Sequence, residues 1–447
     1  MTAPLSRRTV LKGAAAGLGL AAGGPMARVV AGATGTTPAT TYQAGDRPYP
    51  HLPSGTESFP QIEHIVVLMM ENHSFDNTFG ALRRTGVNGL TFTAAGLPTN
   101  SNPAPGGGSV TASPAPSTCQ AGYTISQSWD ASHLCWDGGR NDGFVKECGG
   151  QSMYYYTQEQ MPYYFGLASA FPVCDRYFSS VMAQTYPNRR FLMAGSAFGI
   201  VSDPLPSPSD PNPRLSGFGT VFDMLNAYGI SWKDYFADLP TAGLFPYVLE
   251  NNPGNVVPVA EFFTDCAAGT LPQFSLVDPE SFEGSEENPQ DAQTGAYYAY
   301  QVINAVISSP AWPSTALVLT FDEHGGYYDH VPPVPAVRPD GIVPEVTAGD
   351  TYGDLYSWTG FRVPTVVVSP WARPGYVSHT VYDHTSILRL VESKWNLPAL
   401  SNRDANANSM LDCFDFLSPA FLKPPLLAPA LVPTGAPACI AADPTGQ

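Results

Sequence analysis

Three carboxylates and one amide stand where two apolar runs of the sequence end. Glu71 and Asn72 follow the first run, and Asp322 and Glu323 follow the second. In open α/β sheets ligands bind in the crevice beyond the carboxyl ends of the strands, so neighbouring strands would bring these side chains together. Such hard oxygen ligands suit a divalent cation. The blander interpretation is that they are solvated polar residues at strand ends.

Thr185 is the candidate nucleophile for such a site. Residues 179–191 read as a turn that enters a helix, with Pro187 in its first turn. A helix N-terminus favours anions through its free N–H groups and its dipole, which predicts a phosphate cradle here. A threonine hydroxyl is a poor nucleophile until a metal or a base lowers its pKa. Without the metal hypothesis, this threonine would read as a helix cap.

The elements that must position these residues alternate along the chain. Apolar runs at residues 65–70, 316–321 and 363–368 are typical of strands buried on both faces of a parallel sheet. Helical patterns at residues 220–228 and 295–308 lie between them. Strands that alternate with helices predict an α/β fold.

The N-terminus has the pattern of a twin-arginine export signal. Arg7 and Arg8 precede a small apolar run at residues 13–24, and residues 31–33 form a small-residue cleavage site. That run is shorter than the ~18 residues of a membrane span. We therefore expect the twin-arginine export machinery as a partner, no transmembrane anchor, and a secreted or cell-envelope-associated protein.

The charge balance bears on partners. The chain has 447 residues with 38 acidic and 21 basic side chains, a net charge of −17. Non-specific nucleic-acid binding needs a basic footprint, so no nucleic-acid partner is expected. An anionic membrane would repel such a surface as well.

The cysteines are odd in number. Seven are present, without a C-x-x-C pair, which argues against a thiolate zinc site or a thioredoxin-type motif. An exported protein meets an oxidising environment in which disulfides form. We expect Cys439 to tie down the Pro-rich tail, and the sequence leaves the other pairings open.

Four motifs, in order, resemble the bacterial phosphoesterase family, which contains phosphatidylcholine-type phospholipases C and certain acid phosphatases. The resemblance covers roughly residues 62 to 397. The motifs read Glu71-Asn72-His73-Ser74-Phe75-Asp76, Thr185-Tyr186-Pro187-Asn188-Arg189, Phe321-Asp322-Glu323-His324-Gly325-Gly326-Tyr327-Tyr328-Asp329-His330-Val331-Pro332-Pro333, and Tyr382-Asp383-His384-Thr385-Ser386.

The resemblance implies an alkaline-phosphatase-like α/β fold, with a central, mostly parallel sheet flanked by helices on both faces. It also implies a divalent cation of unspecified identity. The ligands carried over from the family are Glu71, Asn72, Thr185, Asp322 and Glu323. The hydroxyl of Thr185 would then attack phosphorus and form a phosphothreonine intermediate.

Proton transfer and substrate binding need further residues. A histidine is suited to protonate the leaving alcohol, and His133 and His330 are the candidates. Asn188 and His324 are predicted to contact the substrate, although His324 could instead only hold its loop.

Two departures from the family pattern affect the same region. Gln127 and Asn288 stand where family members commonly have histidines. Both are assigned to substrate binding here, because amides donate hydrogen bonds but cannot supply a proton at neutral pH.

The sequence thus predicts a signal peptide at residues 1–33, a flexible tether at 34–60, a phosphoesterase domain at 61–420 and a Pro-rich tail at 421–447. The favoured function is an exported, metal-dependent phosphoesterase of the phospholipase C type. Its substrate would be a phosphate ester, with a phospholipid as one form. The alternatives are an acid phosphatase that acts on phosphomonoesters, and an exported binding protein that keeps the fold without turnover.

Overall fold

The structure is a computed structural model that describes residues 41–279, 284–346, 352 and 355–442. The predicted signal peptide at residues 1–33 lies outside the described residues, as do residues 34–40 of the predicted tether and residues 443–447 of the tail. Within the described residues, no helix is long and apolar enough to cross a membrane.

Twelve strands are present in the described residues, and eight of them form one central sheet. In chain order they are β1 His64–Met70, β2 Ser101–Pro103, β3 Ser109–Thr111, β4 Ser113–Pro114, β5 Tyr154–Tyr155, β6 Val173–Cys174, β7 Trp232–Phe236, β8 Val256–Pro258, β9 Phe274–Asp278, β10 Thr315–Phe321, β11 Val366–Val368 and β12 Val377–Ser378. The order in the central sheet is β12-β6-β11-β10-β1-β9-β7-β8. Two short pairs, β2 with β3 and β4 with β5, lie outside it.

The helices connect and cover these strands. They are α1 Phe75–Phe79, α2 Trp129–Trp136, α3 Phe144–Cys148, α4 Pro162–Ala170, α5 Thr185–Ala194, α6 Val221–Ala227, α7 Pro246–Asn251, α8 Val259–Ala268, α9 Ala292–Ile307, α10 His384–Trp395, α11 Asn402–Ala405 and α12 Ala436–Ala442. Single 3₁₀ turns occur at Asp137–Gly139, Gly150–Met153, Thr241–Leu244, Trp312–Ser314 and Leu411–Cys413.

The predicted α/β class and the mostly parallel sheet are confirmed. Strand β1 lies between β10 and β9 and is parallel to both. Every residue of β9 and β10 is buried. Because side chains of a strand alternate between the two faces, burial at every position requires cover on both faces.

The third apolar run has a different direction from the first two. Only Val366–Val368 of residues 363–368 is a strand, and β11 pairs antiparallel with β10 and with β6. A continuous apolar run reports burial on both faces, and it carries no information on strand direction.

The two predicted helices are present as α6 and α9. Thr220 and Asp223 form a capping box at the start of α6, and Asp291 caps α9. Helix α9 packs against β1 and β10. It begins three residues before the predicted start at residue 295 because the cap, rather than the first apolar residue, decides where a helix begins.

The described part of the predicted tether, residues 41–60, is bound to the domain. Tyr49 N–H donates to Asn396 Oδ1 at 3.0 Å, and Gly45 N–H donates to the carbonyl of Ala399 at 2.7 Å. Lys394 also donates to the carbonyl of Phe59. The polar, Pro-rich composition of this segment indicated irregular backbone, but it did not reveal these long-range partners.

Both ends of the described chain are fixed to the domain. Cys439, on α12, forms a disulfide with Cys119. The expectation that Cys439 ties down the tail is therefore confirmed.

Replacement of Glu286 by glutamine should stabilise the protein in a pH-dependent way. Glu286 is 1% exposed and accepts a hydrogen bond from the Tyr164 hydroxyl. Burial raises the pKa of this carboxyl well above its usual range. The carboxyl must therefore gain a proton on folding. Its contribution to the free energy of unfolding is complete below the pKa of glutamate in the unfolded chain, and it is lost as the pH rises towards the higher pKa of the folded state.

Glu286→Gln removes this loss while keeping an acceptor for Tyr164. Its stability advantage should grow by about 1.4 kcal/mol per pH unit above about pH 4.3. Urea unfolding of parent and variant at about pH 4 and about pH 8 measures this. An equal difference at both pH values would contradict a buried, protonated Glu286.

Candidate active site

The carboxyl ends of β1 and β10 meet at one edge of the sheet. Met70 pairs with Phe321 in register, and Asp322 N–H donates to the carbonyl of Met70 at 3.1 Å. Glu71 and Asp322 are therefore neighbours, 7% and 0% exposed. The sequence analysis predicted that these two motifs share a crevice if their strands lie close together. Strands β1 and β10 are adjacent, so this condition is met.

Thr185 is the first residue of α5 and faces the same edge. Its hydroxyl lies 3.4 Å from Oδ1 of Asn72, to which it donates, and the residue is 8% exposed. The structure thus places the predicted nucleophile, Thr185, beside the predicted metal ligand Asn72, although the two residues are more than a hundred positions apart in the sequence.

Asn188 holds the loop that leads into Thr185. Its Oδ1 accepts from Val181 N–H at 3.1 Å, and its Nδ2 donates to the carbonyls of Ala183 and Gln184 at 2.9 and 3.0 Å. The side chain is 0% exposed. Both ends of the amide are bound to backbone, so Asn188 holds the loop before the predicted nucleophile, and its predicted contact with the substrate stays a prediction.

Arg189 lies at the centre of the site, and the sequence analysis did not predict it there. Its guanidinium donates to Glu71 Oε1 at 2.8 Å and to Asp322 Oδ2 at 3.1 Å, and lies 3.4 Å from Asp278 Oδ1. It follows Thr185 by four residues, one helical turn. Its place in the Pro-Asn-Arg motif was the only signal in the sequence that this arginine belongs to the site. Nothing in the sequence showed that its guanidinium would contact three acids.

The N-terminus of α5 already has an anionic partner. Tyr186 N–H donates to Asp203 Oδ1 at 2.7 Å. Burial raises the pKa of Asp203 to about 6. A carboxylate from the chain therefore lies at the helix end where the sequence predicted a phosphate cradle.

The turn after β10 is compact and leaves one oxygen without a partner. Gly325 has φ +64°, and a Cβ there would lie 2.0 Å from the carbonyl of Asn72. Its N–H donates to Glu323 Oε2 at 2.8 Å. Glu323 Oε1 is buried and has no hydrogen-bond partner in the part of the chain that the structure describes. A glycine is required at this position because the two turns touch.

At this edge of the sheet the buried acids are more numerous than the one buried arginine that contacts them, Arg189. Burial raises the pKa of Glu71 to about 8, with Arg189 lowering it and Asp322 raising it. Burial likewise raises the pKa of Asp322 to about 7 and that of Glu323 well above its usual range. A buried excess of carboxylates, with an unpartnered oxygen on Glu323, is the environment that an additional cation fits.

Gln127 and an unpredicted acid, Glu287, border this edge. Gln127 Nε2 donates to Glu287 Oε1 at 3.1 Å. Burial raises the pKa of Glu287 to about 8, with Glu71 adding to the rise and hydrogen bonds to Asn72 and Gln127 lowering it. Asn288 is half-buried and precedes a cis proline. Gln127 and Glu287 therefore form an amide–carboxyl pair beside the predicted ligands.

His324 and His133 are both packed among aromatic side chains. The His324 ring lies 4.5 Å from that of Phe361, and burial lowers its pKa to about 3. His133, on α2, stacks on Tyr352 at 4.8 Å, and its Nδ1 lies 2.7 Å from the carbonyl of Trp129. Of the two interpretations left open for His324, the contacts favour holding the turn.

His330 belongs to a different cluster from Thr185. Its Nδ1 lies 2.7 Å from Asp76 Oδ2, and its Nε2 lies 3.0 Å from Asn88 Oδ1. Arg362, 0% exposed, donates to both Asp76 and Asp329. Both ring nitrogens of His330 thus have partners other than Thr185, and its predicted role as a proton donor stays a prediction.

Asp76, Asp329 and His330 are close enough to share a metal ion, since one ligand atom of each lies within 4.8 Å of the others. However, every carboxylate oxygen of this cluster already has a donor. Asp76 accepts from Arg362 and from His330 N–H, and Asp329 accepts from Arg362 and from the N–H groups of Val331 and Asp76. These donors balance the two acids, so this cluster is an ion-pair network and the Glu71 edge is the better cation site.

A cavity of about 270 Å³ opens directly beside Thr185, Glu71 and Arg189. Much of its lining is apolar, and we call these residues its apolar wall: Leu205, Pro206, Leu239, Pro240, Leu244 and Leu249. Leu205 and Leu239 are 87% and 52% exposed. The site therefore joins a polar, acidic end to an apolar wall.

A hydroxyl at a helix start, facing acids at the end of a parallel sheet, defines an α/β protein with a candidate hydrolase site. The chain belongs to the phosphoesterase family, whose model matches residues 62–398. It is 30% identical to phospholipase C B of Mycobacterium tuberculosis, over 80% of this chain and 78% of that protein. It is 31% identical to non-specific phospholipase C4 of Arabidopsis thaliana, over 79% of this chain and 72% of that protein.

The chain is shorter than other relatives. It is 30% identical to the non-hemolytic phospholipase C of Burkholderia pseudomallei over 81% of this chain and 60% of that protein. It thus spans about three fifths of the length of that relative. Among solved structures, a protein of the alkaline phosphatase superfamily from Vibrio parahaemolyticus is similar with a TM-score of 0.41 and 11% identity, over 84% of this chain and 75% of that one.

Binding of a divalent cation should release protons near neutral pH. The pKa values of Glu71 and Asp322, about 8 and about 7, mean that both carboxyls are partly protonated there. Ligands must lose these protons to bind, so affinity should rise between about pH 6 and about pH 8. Calorimetric titration of the metal-free protein with Zn²⁺, Mn²⁺ or Ca²⁺ in buffers of different ionisation enthalpy counts the protons.

The matched variants are Glu323→Gln, which removes the unpartnered carboxylate, and Glu159→Gln, at an exposed position away from this edge. The first should weaken binding and the second should not. Equal binding by both variants would place the cation elsewhere.

Proposed function

We propose that the protein is an exported, cation-dependent phosphoesterase that transfers a phosphoryl group first to Thr185 and then to water. The observation that carries the proposal is the position of the Thr185 hydroxyl, 3.4 Å from Asn72 at the edge where Glu71 and Asp322 meet. Membership of the phosphoesterase family and similarity to proteins named phospholipase C support it.

The residues that would hold the cation are Glu71, Asn72, Thr185, Asp322 and Glu323. Once bound, a divalent cation supplies positive charge for phosphoryl oxygens and lowers the pKa of a hydroxyl beside it. Without it, a phosphate would meet a net negative edge, since Arg189 is already shared among three acids. The acids Glu71 and Asp322 are fixed by Arg189 before a substrate arrives, which keeps the reorganisation on binding small.

The chain itself orients the nucleophile. Asn188 fixes the loop before Thr185, and Arg189 ties the following turn of α5 to the strand ends. The hydroxyl donates its proton towards Asn72 Oδ1, and Thr185 lines the cavity, so a substrate bound there would lie beside this oxygen. In-line attack on phosphorus needs this fixed direction.

Protonation of the leaving alcohol is assigned to Glu287, which is bound to Gln127, and His133 is kept as the second candidate. Gln127 cannot supply a proton at neutral pH. Glu287, with a pKa of about 8, holds one there, and it is bound to Gln127. His133 follows on α2, six residues after Gln127. His330 is given the role of holding the loop after β10 through Asp76.

Thr185→Ala should abolish turnover, with a loss of at least about a thousandfold in kcat, because the nucleophile is removed. Thr185→Ser keeps a hydroxyl and should retain measurable activity. The substrates are p-nitrophenyl phosphate and p-nitrophenylphosphorylcholine, with the cation-loaded mature protein. Acid quenching followed by peptide mapping should find phosphate on Thr185 with the monoester, and phosphorylcholine on Thr185 with the choline ester.

The results separate the candidate functions. Activity on the choline ester alone supports the phospholipase C type, and activity on the monoester supports a phosphatase. No turnover of either ester, and neither phosphate nor phosphorylcholine on Thr185 with the cation bound, would reject the enzyme. The replacement of family histidines by Gln127 and Asn288 favours the remaining candidate in that case, an exported binding protein.

The apolar wall beside Thr185 favours a phospholipid over a small soluble ester. Leu205 and Leu239 are exposed at this wall, where they can contact acyl chains or a lipid surface. The double variant Leu205→Ser, Leu239→Ser should lose at least about tenfold in activity on phosphatidylcholine vesicles, because each exposed leucine contributes about 1.5–3 kcal/mol when buried. Its activity on p-nitrophenylphosphorylcholine should change less.

Leu417→Ser is the matched control, since Leu417 is 96% exposed and does not line the cavity. An equal loss on both substrates in the double variant, or the same loss in the control, would argue against a lipid-contacting wall.

A further inference from the structure

Four of the five cysteines outside the Cys119–Cys439 disulfide form two close pairs. Sγ of Cys135 lies 3.7 Å from Sγ of Cys148, and Sγ of Cys174 lies 3.7 Å from Sγ of Cys413. All four are buried. The fifth, Cys266, is buried on α8 and has no part in either pair.

We propose that these two pairs are sites of covalent modification, at which the folded chain forms the disulfides Cys135–Cys148 and Cys174–Cys413. The proposal is independent of the catalytic function. It leaves Cys266 as the single thiol, which accounts for an odd number of cysteines. The existing Cys119–Cys439 disulfide is a second observation, because it shows a chain arranged for an environment that permits disulfides.

At 3.7 Å the two sulfur atoms of each pair are in contact but not bonded. A disulfide needs S–S of about 2.05 Å, so each pair must close by less than 2 Å. Rotation about the Cα–Cβ bonds moves sulfur atoms by such amounts while the helices and strands stay in place. Cys135 is on α2 and Cys148 is the last residue of α3, whereas Cys174 is on β6 and Cys413 is in the 3₁₀ turn Leu411–Cys413.

The chemistry is thiol–disulfide exchange with a disulfide oxidant. A thiolate of the pair attacks the oxidant's S–S bond, which gives a mixed disulfide and one free oxidant thiol. The second thiolate then attacks the protein sulfur of the mixed disulfide and releases the second oxidant thiol. The two cysteines lose two electrons and two protons, and the oxidant becomes two thiols. In the first pair, the hydrogen bond from Cys135 lowers the pKa of Cys148, which favours Cys148 as the first attacking sulfur.

The first pair would fix a segment that borders the active site. Cys148 lies 3.3 Å from the carbonyl of Ser126, to which its thiol donates, and Ser126 precedes Gln127. Ser126 also contacts the turn after β10, because a Cβ at Gly326 would lie 2.8 Å from its carbonyl. A Cys135–Cys148 bond therefore joins α2 and α3 beside the loop that carries Gln127.

The second pair closes a much longer loop, from β6 at one side of the central sheet to the segment after α11. In the chain-entropy account a longer loop gives the larger stabilisation, so this bond should affect unfolding more than the first. The two bonds thus have different expected effects.

The test is to refold the full mature chain from the reduced, denatured state in a buffer of oxidised and reduced glutathione. Remaining thiols are then alkylated under denaturing conditions without reduction, and peptides are mapped by mass spectrometry. We expect label on Cys266 alone, together with linked peptides for all three disulfides. The Cys119–Cys439 link is the internal control for oxidation.

Label on Cys135, Cys148, Cys174 and Cys413 in protein that contains the Cys119–Cys439 link would overturn the proposal. Linkage of any of them to Cys266 would also overturn it. Formation of one bond alone would confirm that pair and reject the other.

Variants give a second readout that does not depend on catalysis. Cys148→Ser should leave label on both Cys135 and Cys266, and Cys266→Ser should remove the last label. In oxidised protein, Cys174→Ala with Cys413→Ala should lower Tm more than Cys135→Ala with Cys148→Ala. Equal Tm for oxidised parent and for both double variants would contradict bonds that constrain the chain.

Discussion

The buried guanidinium of Arg189 links one helix to the ends of three neighbouring strands. It contacts Glu71 after β1, Asp322 after β10 and Asp278 at the end of β9, and these strands are adjacent in the order β10-β1-β9. An unpaired carboxylate in this environment would cost several kcal/mol, so the arrangement of the three strand ends and of α5 is mutually dependent. Thr185 lies one turn earlier on that helix, and its position follows from the same contacts.

A second buried arginine, Arg362, differs from Arg189 in how completely its acids are hydrogen-bonded. Arg362 and its neighbours satisfy every oxygen of Asp76 and Asp329. The acids near Arg189 outnumber it, and Glu323 keeps an oxygen without a partner among the described residues. Two clusters with similar residue types therefore have different chemical capacities, and the count of donors to each oxygen decides which one can accept a cation.

The motifs of the candidate active site were visible in the sequence because each follows directly from a local pattern. Glu71 and Asp322 end long apolar runs, and Thr185 begins a segment with helical signals. The roles of His330, Asn188 and Asp203 were not visible in this way. His330 stands within a family motif, yet its ring binds Asp76 and Asn88, which lie more than two hundred residues earlier. Glu287 was likewise missed, since its contacts with Gln127 and Asn72 join segments that are far apart in the chain.

The sequence by itself determined the α/β class, the two central strands, the acids at their ends, and the candidate nucleophile at the start of a helix, because periodicity and turn residues act over short distances. The tertiary structure decided which strands are neighbours, that β11 runs antiparallel, and which acids share Arg189. It also decided the partners of the cysteines, of which the sequence indicated only that Cys439 would be bound. These outcomes depend on contacts between segments far apart in the chain, and such contacts are set by how the whole core packs together.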